Sequence, residues 1–137
     1  MNDTEQLIQE LKNALDGKYE RATVKIIKDK SSTLYVDFND TLNNTLALSM
    51  EGKCTVVNLR NLNDEYFKTR NEWMEERELP MSVEEAVNFF HSCYERMVRD
   101  EKASTEENKR LLQEARVSES TINLLLPDKL IGKPVRR

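Results

Sequence analysis

Apolar positions recur along this chain with two different periods, and the changes of period outline its elements. Leu7, Ile8, Leu11, Ala14 and Leu15 fall at three- and four-residue steps, which predicts an amphipathic helix capped by Asp3 or Thr4 and ended at Gly17. From Ala22 the period shortens to two. Val24 and Ile26, then Leu34, Val36 and Phe38, alternate with polar neighbours and predict a hairpin turning over 29–32. Leu46, Leu48 and Met50 form a third alternating run, and residues 54–59 a fourth beyond a turn at Gly52. Strands joined this tightly are antiparallel neighbours.

Helical spacing then returns. Tyr66, Phe67, Arg70, Trp73, Met74 and Arg77 fit a helix over 64–78 capped by Asn61, Asn63 or Asp64. The densest apolar face follows Pro80: Val83, Ala86, Val87, Phe90, Cys93, Tyr94 and Met97, behind a capping box made by Ser82 and Glu85. Residues 99–102 are all charged, so this helix either continues exposed or breaks near Ala103, where Ser104 with Glu107 is a second capping box followed by Leu111, Leu112 and Ala115. Residues 117–126 are apolar again, and Pro127 opens a basic tail expected to be mobile.

The expected fold is therefore α+β: an N-terminal helix, a four-stranded antiparallel meander, then helices packed on the sheet and a C-terminal helical hairpin. The expected division is an α+β domain over 1–103, the hairpin over 104–126 and a flexible basic tail over 127–137. Four apolar helix faces compete for one small sheet, which leaves surface for a partner protein or a second copy.

Charge narrows the function classes. The chain has 137 residues, 34% of them charged, and a net charge of −4, which disfavours non-specific coating of nucleic acid. The balance is uneven. Residues 102–137 carry eight Lys and Arg against five Asp and Glu, whereas 1–101 carry thirteen against twenty. The start MNDTEQL is polar and acidic, unlike a signal or transit peptide, and no apolar run approaches membrane-spanning length. A cytoplasmic protein without membrane contact is the expectation, with Cys54 and Cys93 as reduced, buried thiols.

Catalytic chemistry finds little to build on. His91 is the only histidine, and Cys93 lies roughly 200° round the same helix, too far to pair with it as nucleophile and base. One His and two scattered Cys do not make a zinc site, and there is no phosphate-binding or dinucleotide fingerprint. Asp37, Asp40 and Glu51 could gather at one end of the sheet, and Glu75, Glu76 and Glu78 form an acidic cluster. Turn chemistry and a solvated element end explain both. No cofactor, no metal and no catalytic residue are expected.

Residues 111–126, LLQEARVSESTINLLL, carry the most specific local pattern. Val117, Ser118, Thr121 and Ile122 stand where a turn hydrophobe, a helix cap and two packing residues stand in the helix-turn-helix DNA-binding motif, which this segment resembles. Arg116 occupies the turn position usually held by Gly, and Leu112 replaces a small residue. The resemblance implies a second helix in the major groove presenting Ser118, Glu119, Ser120 and Asn123, with Arg116, Lys129 and Lys133 against phosphates. The competing reading is a helical hairpin capped at Ser118 whose Leu124–Leu126 run packs on the domain or on a partner.

The leading expectation is a non-enzymatic protein-binding module, an adaptor, chaperone or inhibitor, with Tyr66, Trp73, Met74 and Arg77 as its aromatic and Arg anchors. A sequence-specific DNA-binding regulator is the alternative, and an enzyme relying on His91 the third.

Overall fold

The first helix, α1 (Asp3–Leu15), buries Ile8, Leu11 and Leu15, and Gly17 follows it at φ 75°, a conformation that costs glycine little. This computed structural model describes residues 3–28, 31–60 and 70–136. Five strands follow: β1 (Thr23–Lys28), β2 (Ser32–Asp37), β3 (Asn44–Glu51), β4 (Lys53–Arg60) and β5 (Arg70–Glu78). They pair in chain order as one antiparallel sheet. The register makes rows across it; Val24, Val36 and Leu46 form one, and Leu34, Leu48 and Val56 another. These positions point to the helices and close a core with Phe38, Met50, Cys54, Phe89, Phe90 and Met97.

The α+β class and antiparallel sheet are as expected, but the strand count is five, not four. Residues 70–78 form β5 instead of the end of a helix. The side chains of β5 that face the helices are Trp73, Glu75 and Arg77, opposite Asn58, Val56 and Cys54. Two of the three are charged, so the two-residue period is hidden from any reading of apolar positions. The remainder of the expected 64–78 helix, with Tyr66 and Phe67, lies outside the described residues.

The second correction concerns the helices. α2 (Val83–Glu114) is a single helix of 32 residues, so Ser104 lies within it and caps nothing. Ser82 and Glu85 do form the expected capping box, with Ser82 Oγ accepting from the Glu85 amide at 3.1 Å. A boundary between domain and hairpin at 103/104 is therefore crossed by continuous helix. At about 1.5 Å per residue α2 is roughly 48 Å long, about twice the length of an eight-residue strand such as β4. Its second half outruns the sheet.

α2 ends in a tight reversal. Arg116 takes φ 60°, its amide donates to Gln113 O at 3.0 Å and the Val117 amide to Leu112 O at 3.0 Å, a Schellman arrangement. Ser118 then caps α3 (Glu119–Leu125), which buries Ile122.

The loop between β2 and β3 ties these pieces together. Asn39 and Asn43 have φ of 53° and 55°, left-handed conformations that a short amide side chain tolerates. Asn44 is fully buried; its amide nitrogen Nδ2 donates to Asp40 Oδ2 at 2.6 Å and to Glu101 Oε2 of α2 at 3.3 Å. One side-chain amide thus bridges two buried carboxylates and fixes the middle of α2 to the sheet.

The basic tail, expected to be mobile, is held along the surface. The Glu20 amide donates to Lys133 O at 2.9 Å and the Val135 amide to Lys18 O at 2.7 Å, giving Tyr19 and Pro134 a short bridge. Tyr94 Oη donates to Gly132 O at 2.6 Å, and Thr41 exchanges hydrogen bonds with Asp128 and Lys129. A Cβ at Gly132 would run into the Glu20 carbonyl, so the close approach requires glycine. Among the described residues no helix is long and apolar enough to cross a membrane.

Candidate functional site

Exposed leucines gather at the far end of α2 and on the helix that folds back against it. α3 has seven residues, of which only Ile122 is buried. Three consecutive leucines cannot all face inward from so short a helix, and Leu124 is left 84% exposed and Leu125 62% exposed. Beside them on α2, Leu111 is 48% exposed. Between the two helices and the β2–β3 loop lies an open cleft of about 470 Å³, walled by Leu42, Leu111, Leu112, Leu125, Leu126 and Pro127 with Ser104, Thr105 and Asn108 along α2. Outside it, Arg110 is fixed between Glu107 and Glu114 at 2.6 Å each. Those ion pairs hold the carboxyl of Glu107 below its usual range through the Arg110 hydrogen bond. A cleft walled largely by leucines is suited to binding an apolar segment.

The residues expected to anchor a partner are not brought together. Trp73 faces α2 and lies half-buried under the Arg96 guanidinium, 4.3 Å from its ring centroid. Arg77 faces the same side, 4.6 Å from the Phe89 ring and 3.6 Å from Glu75. Met74 points from the opposite face of the sheet and is 56% exposed. Tyr66 lies outside the described residues. Trp73 and Arg77 belong instead to a charged seam between β5 and α2, in which Glu75 also accepts from Arg96 at 3.3 Å. These cation–π and ionic contacts close the sheet edge against the helix.

The residues of the DNA-binding alternative divide as well. Arg116, Ser118, Glu119, Ser120 and Asn123 are all exposed at the α2–α3 reversal. Ser118 Oγ accepts from the Thr121 amide at 3.4 Å, so its side chain is engaged as the cap. Lys129 and Lys133 are exposed on the docked tail, beside Glu20 and Arg21 rather than on α3.

His91 is used in packing. Its Nδ1 is 2.9 Å from Tyr19 Oη, its Nε2 is 3.6 Å from Glu95, and its ring stacks on those of Tyr19 and Tyr94. Burial, reinforced by neighbouring Tyr94, holds the Tyr19 hydroxyl well above the usual tyrosine value. Both thiols are buried and free. Burial pushes Cys54 up to about 11 despite nearby Arg77, and Cys93 up to about 12, where Glu75 adds to the effect. Neither is a thiolate at neutral pH. Among the described residues no three His, Cys, Asp or Glu side chains converge as metal ligands.

No protein-family model matches the chain, and no curated protein or solved structure matches it either.

The cleft was only partly legible in sequence. The Leu124–Leu126 run marked an apolar end of the chain, but Leu42 and Leu111 enter the same wall only because α2 continues through Ser104.

Proposed function

We propose that this protein is a non-enzymatic protein-binding module and that it takes an apolar segment of a partner protein into the cleft between α2 and α3. The observation that carries this reading is the exposure of Leu111 and Leu125 in the wall of a cleft that Leu42, Leu112 and Leu126 also line. Leaving that much leucine surface in water is costly, at about 25 cal/mol for each Å², and a partner's apolar side chains would remove it. The cleft is also anchored. α2 is fixed to the sheet by Asn44 through Glu101, and the chain after α3 is fixed by Thr41 through Asp128, so little ordering cost falls on binding. The test is a photocrosslinking side chain at position 125 of the full-length protein in its native cells. The expected result is one discrete adduct with a different protein, which disappears when Leu111→Ser is added. An adduct that persists with Leu111→Ser, or a smear without a discrete species, overturns the reading.

A second reading, sequence-specific DNA binding through the same end of the molecule, is favoured by one observation. Arg116 adopts the left-handed turn conformation, and Ser118 caps the helix after it, with Ile122 buried as a packing residue. In that reading duplex DNA is retained with a steep salt dependence, which Arg116→Ala lowers by about one phosphate contact. Co-sedimentation with duplex DNA at low salt, unchanged by Arg116→Ala, would count against it.

A further inference from the structure

One wall of the α2–α3 cleft is held in place by little apolar contact. α3 buries only Ile122, and it joins α2 through the reversal at Arg116, whose φ of 60° is held by main-chain hydrogen bonds. An element with so little burial opens readily. The chain that follows α3 is better fixed. Thr41 Oγ1 donates to Asp128 Oδ1 at 2.8 Å and accepts from the Lys129 amide at 2.8 Å, while the Thr41 amide donates to Lys129 O at 2.8 Å. The residues next in sequence, Leu42 after Thr41 and Pro127 before Asp128, both line the cleft. This clasp therefore ties the wall made by the β2–β3 loop directly to the wall made by the end of α3.

We infer that α3 is a hinged wall turning at Arg116, and that the Thr41 hydroxyl is the latch that holds it against the β2–β3 loop. The functional consequence rests on the cleft reading: latched, Leu125, Leu126 and Pro127 share the cleft with Leu42; unlatched, they swing away and the apolar site is lost. One hydroxyl does both parts of this. It has a single hydrogen, given to a carboxylate, and its lone pairs take the Lys129 amide. A hydrogen bond to an ionised acceptor is the stronger kind, and this one holds the Asp128 carboxyl below its usual range. Farther along, the tail is fixed a second time, by Tyr94 Oη to Gly132 O and by the Glu20 and Val135 amides. Opening the latch therefore frees α3 and the turn after it without undocking the rest of the tail.

The latch is also open to control from outside. Thr41 and Asp128 are both exposed. The residue before Thr41, Asp40, is buried and accepts from the main-chain and side-chain amides of Asn44, so the loop that presents Thr41 is itself rigid. Anything that binds or modifies the Thr41 hydroxyl competes with Asp128 and Lys129 and so acts on the cleft without entering it. By reciprocity, a partner seated in the cleft tightens the latch.

Hydrogen exchange over 119–126 in the free, full-length protein tests the latch without any partner. Thr41→Val removes both hydroxyl bonds while keeping the side-chain shape, and exchange there is expected to quicken about tenfold. Thr41→Ser keeps the hydroxyl and should stay within about twofold of wild type. Asp128→Ala, which loses one of the two bonds, should fall between them. Tyr94→Phe releases only Gly132 and should quicken 131–135 while leaving 119–126 as in wild type. Exchange that Thr41→Val leaves within about twofold of wild type, or that Thr41→Ser quickens as much as Thr41→Val does, overturns the inference. Crosslinking from position 125 then reads the consequence, and Thr41→Val is expected to cut the discrete adduct severalfold. An adduct undiminished by Thr41→Val overturns control of the cleft by the latch. Absence of any adduct from the otherwise wild-type protein sinks the cleft reading instead, and leaves the exchange result to decide the latch.

Discussion

Several side chains in this protein are polar residues placed where the fold requires them rather than where chemistry does. Asn44 holds Asp40 and Glu101 together, Tyr94 holds the tail at Gly132, and His91 shares a hydrogen bond with the Tyr19 hydroxyl. The thiols fit the same description. Cys54 and Cys93 are buried, and their raised values mean that the folded state keeps protons which the unfolded chain gives up. The sign is fixed by linkage: the stability they contribute is fully present below the unfolded thiol value of about 9 and is lost as pH rises towards 11 to 12. Burial also raises Tyr19 and Tyr94, which act in the same direction. Urea midpoints should be level between pH 7 and 8.5 and fall steadily from pH 9 to 11. A midpoint that stays level to pH 11 would show that these groups ionise without cost in the folded state.

At the scale of elements, α2 is the part that most repays a test, because sequence and structure differ on where helices begin. If Ser104 were a cap, position 105 would be the first residue of a helix and would accept proline. In a continuous Val83–Glu114 helix it is interior, where proline removes a hydrogen bond and costs about 3 kcal/mol. Thr105→Pro should therefore lower stability by about that amount and loosen the cleft, measured by chemical denaturation with Glu106→Ala as control. A loss below about 0.5 kcal/mol would mean that the helix breaks there.

The same element shows what was readable beforehand. The capping box at Ser82, the stop at Gly17 and the first four strands were legible because local chemistry or an apolar period marked each one. β5 was hidden because its inward positions, Glu75 and Arg77, are satisfied by Arg96 and Phe89, partners that only the tertiary fold supplies. Ser104 and Glu107 matched a cap by spacing alone, and an interior helix surface accepts the same pair. The docking of the tail is hidden for a similar reason. Its anchors, Lys18, Glu20, Thr41 and Tyr94, lie far from it in sequence. Of the candidate surfaces, the leucine run was visible, but its cleft depends on Leu42 and Leu111 arriving from elsewhere.

For the molecule as a whole, one sheet separates two surfaces of different character. Its covered face carries α1 and α2, and α2 extends beyond it to display the leucine-walled cleft; the other face presents positions such as Tyr35, Ala47 and Val57. In the proposed function the protruding end of α2 takes the partner protein. That role does not require the charged seam of Glu75, Arg77 and Arg96, which closes the edge of the sheet. The central claim is that a partner's apolar segment is received between α2 and α3. Amide hydrogen exchange, comparing the free protein with the protein bound to the partner captured at position 125, tests it most directly. Slowed exchange is expected over residues 104–112 and 119–126, with 73–78 unchanged. Slowing confined to 73–78 and the facing turns of α2, or no change at either end of the cleft, would contradict it.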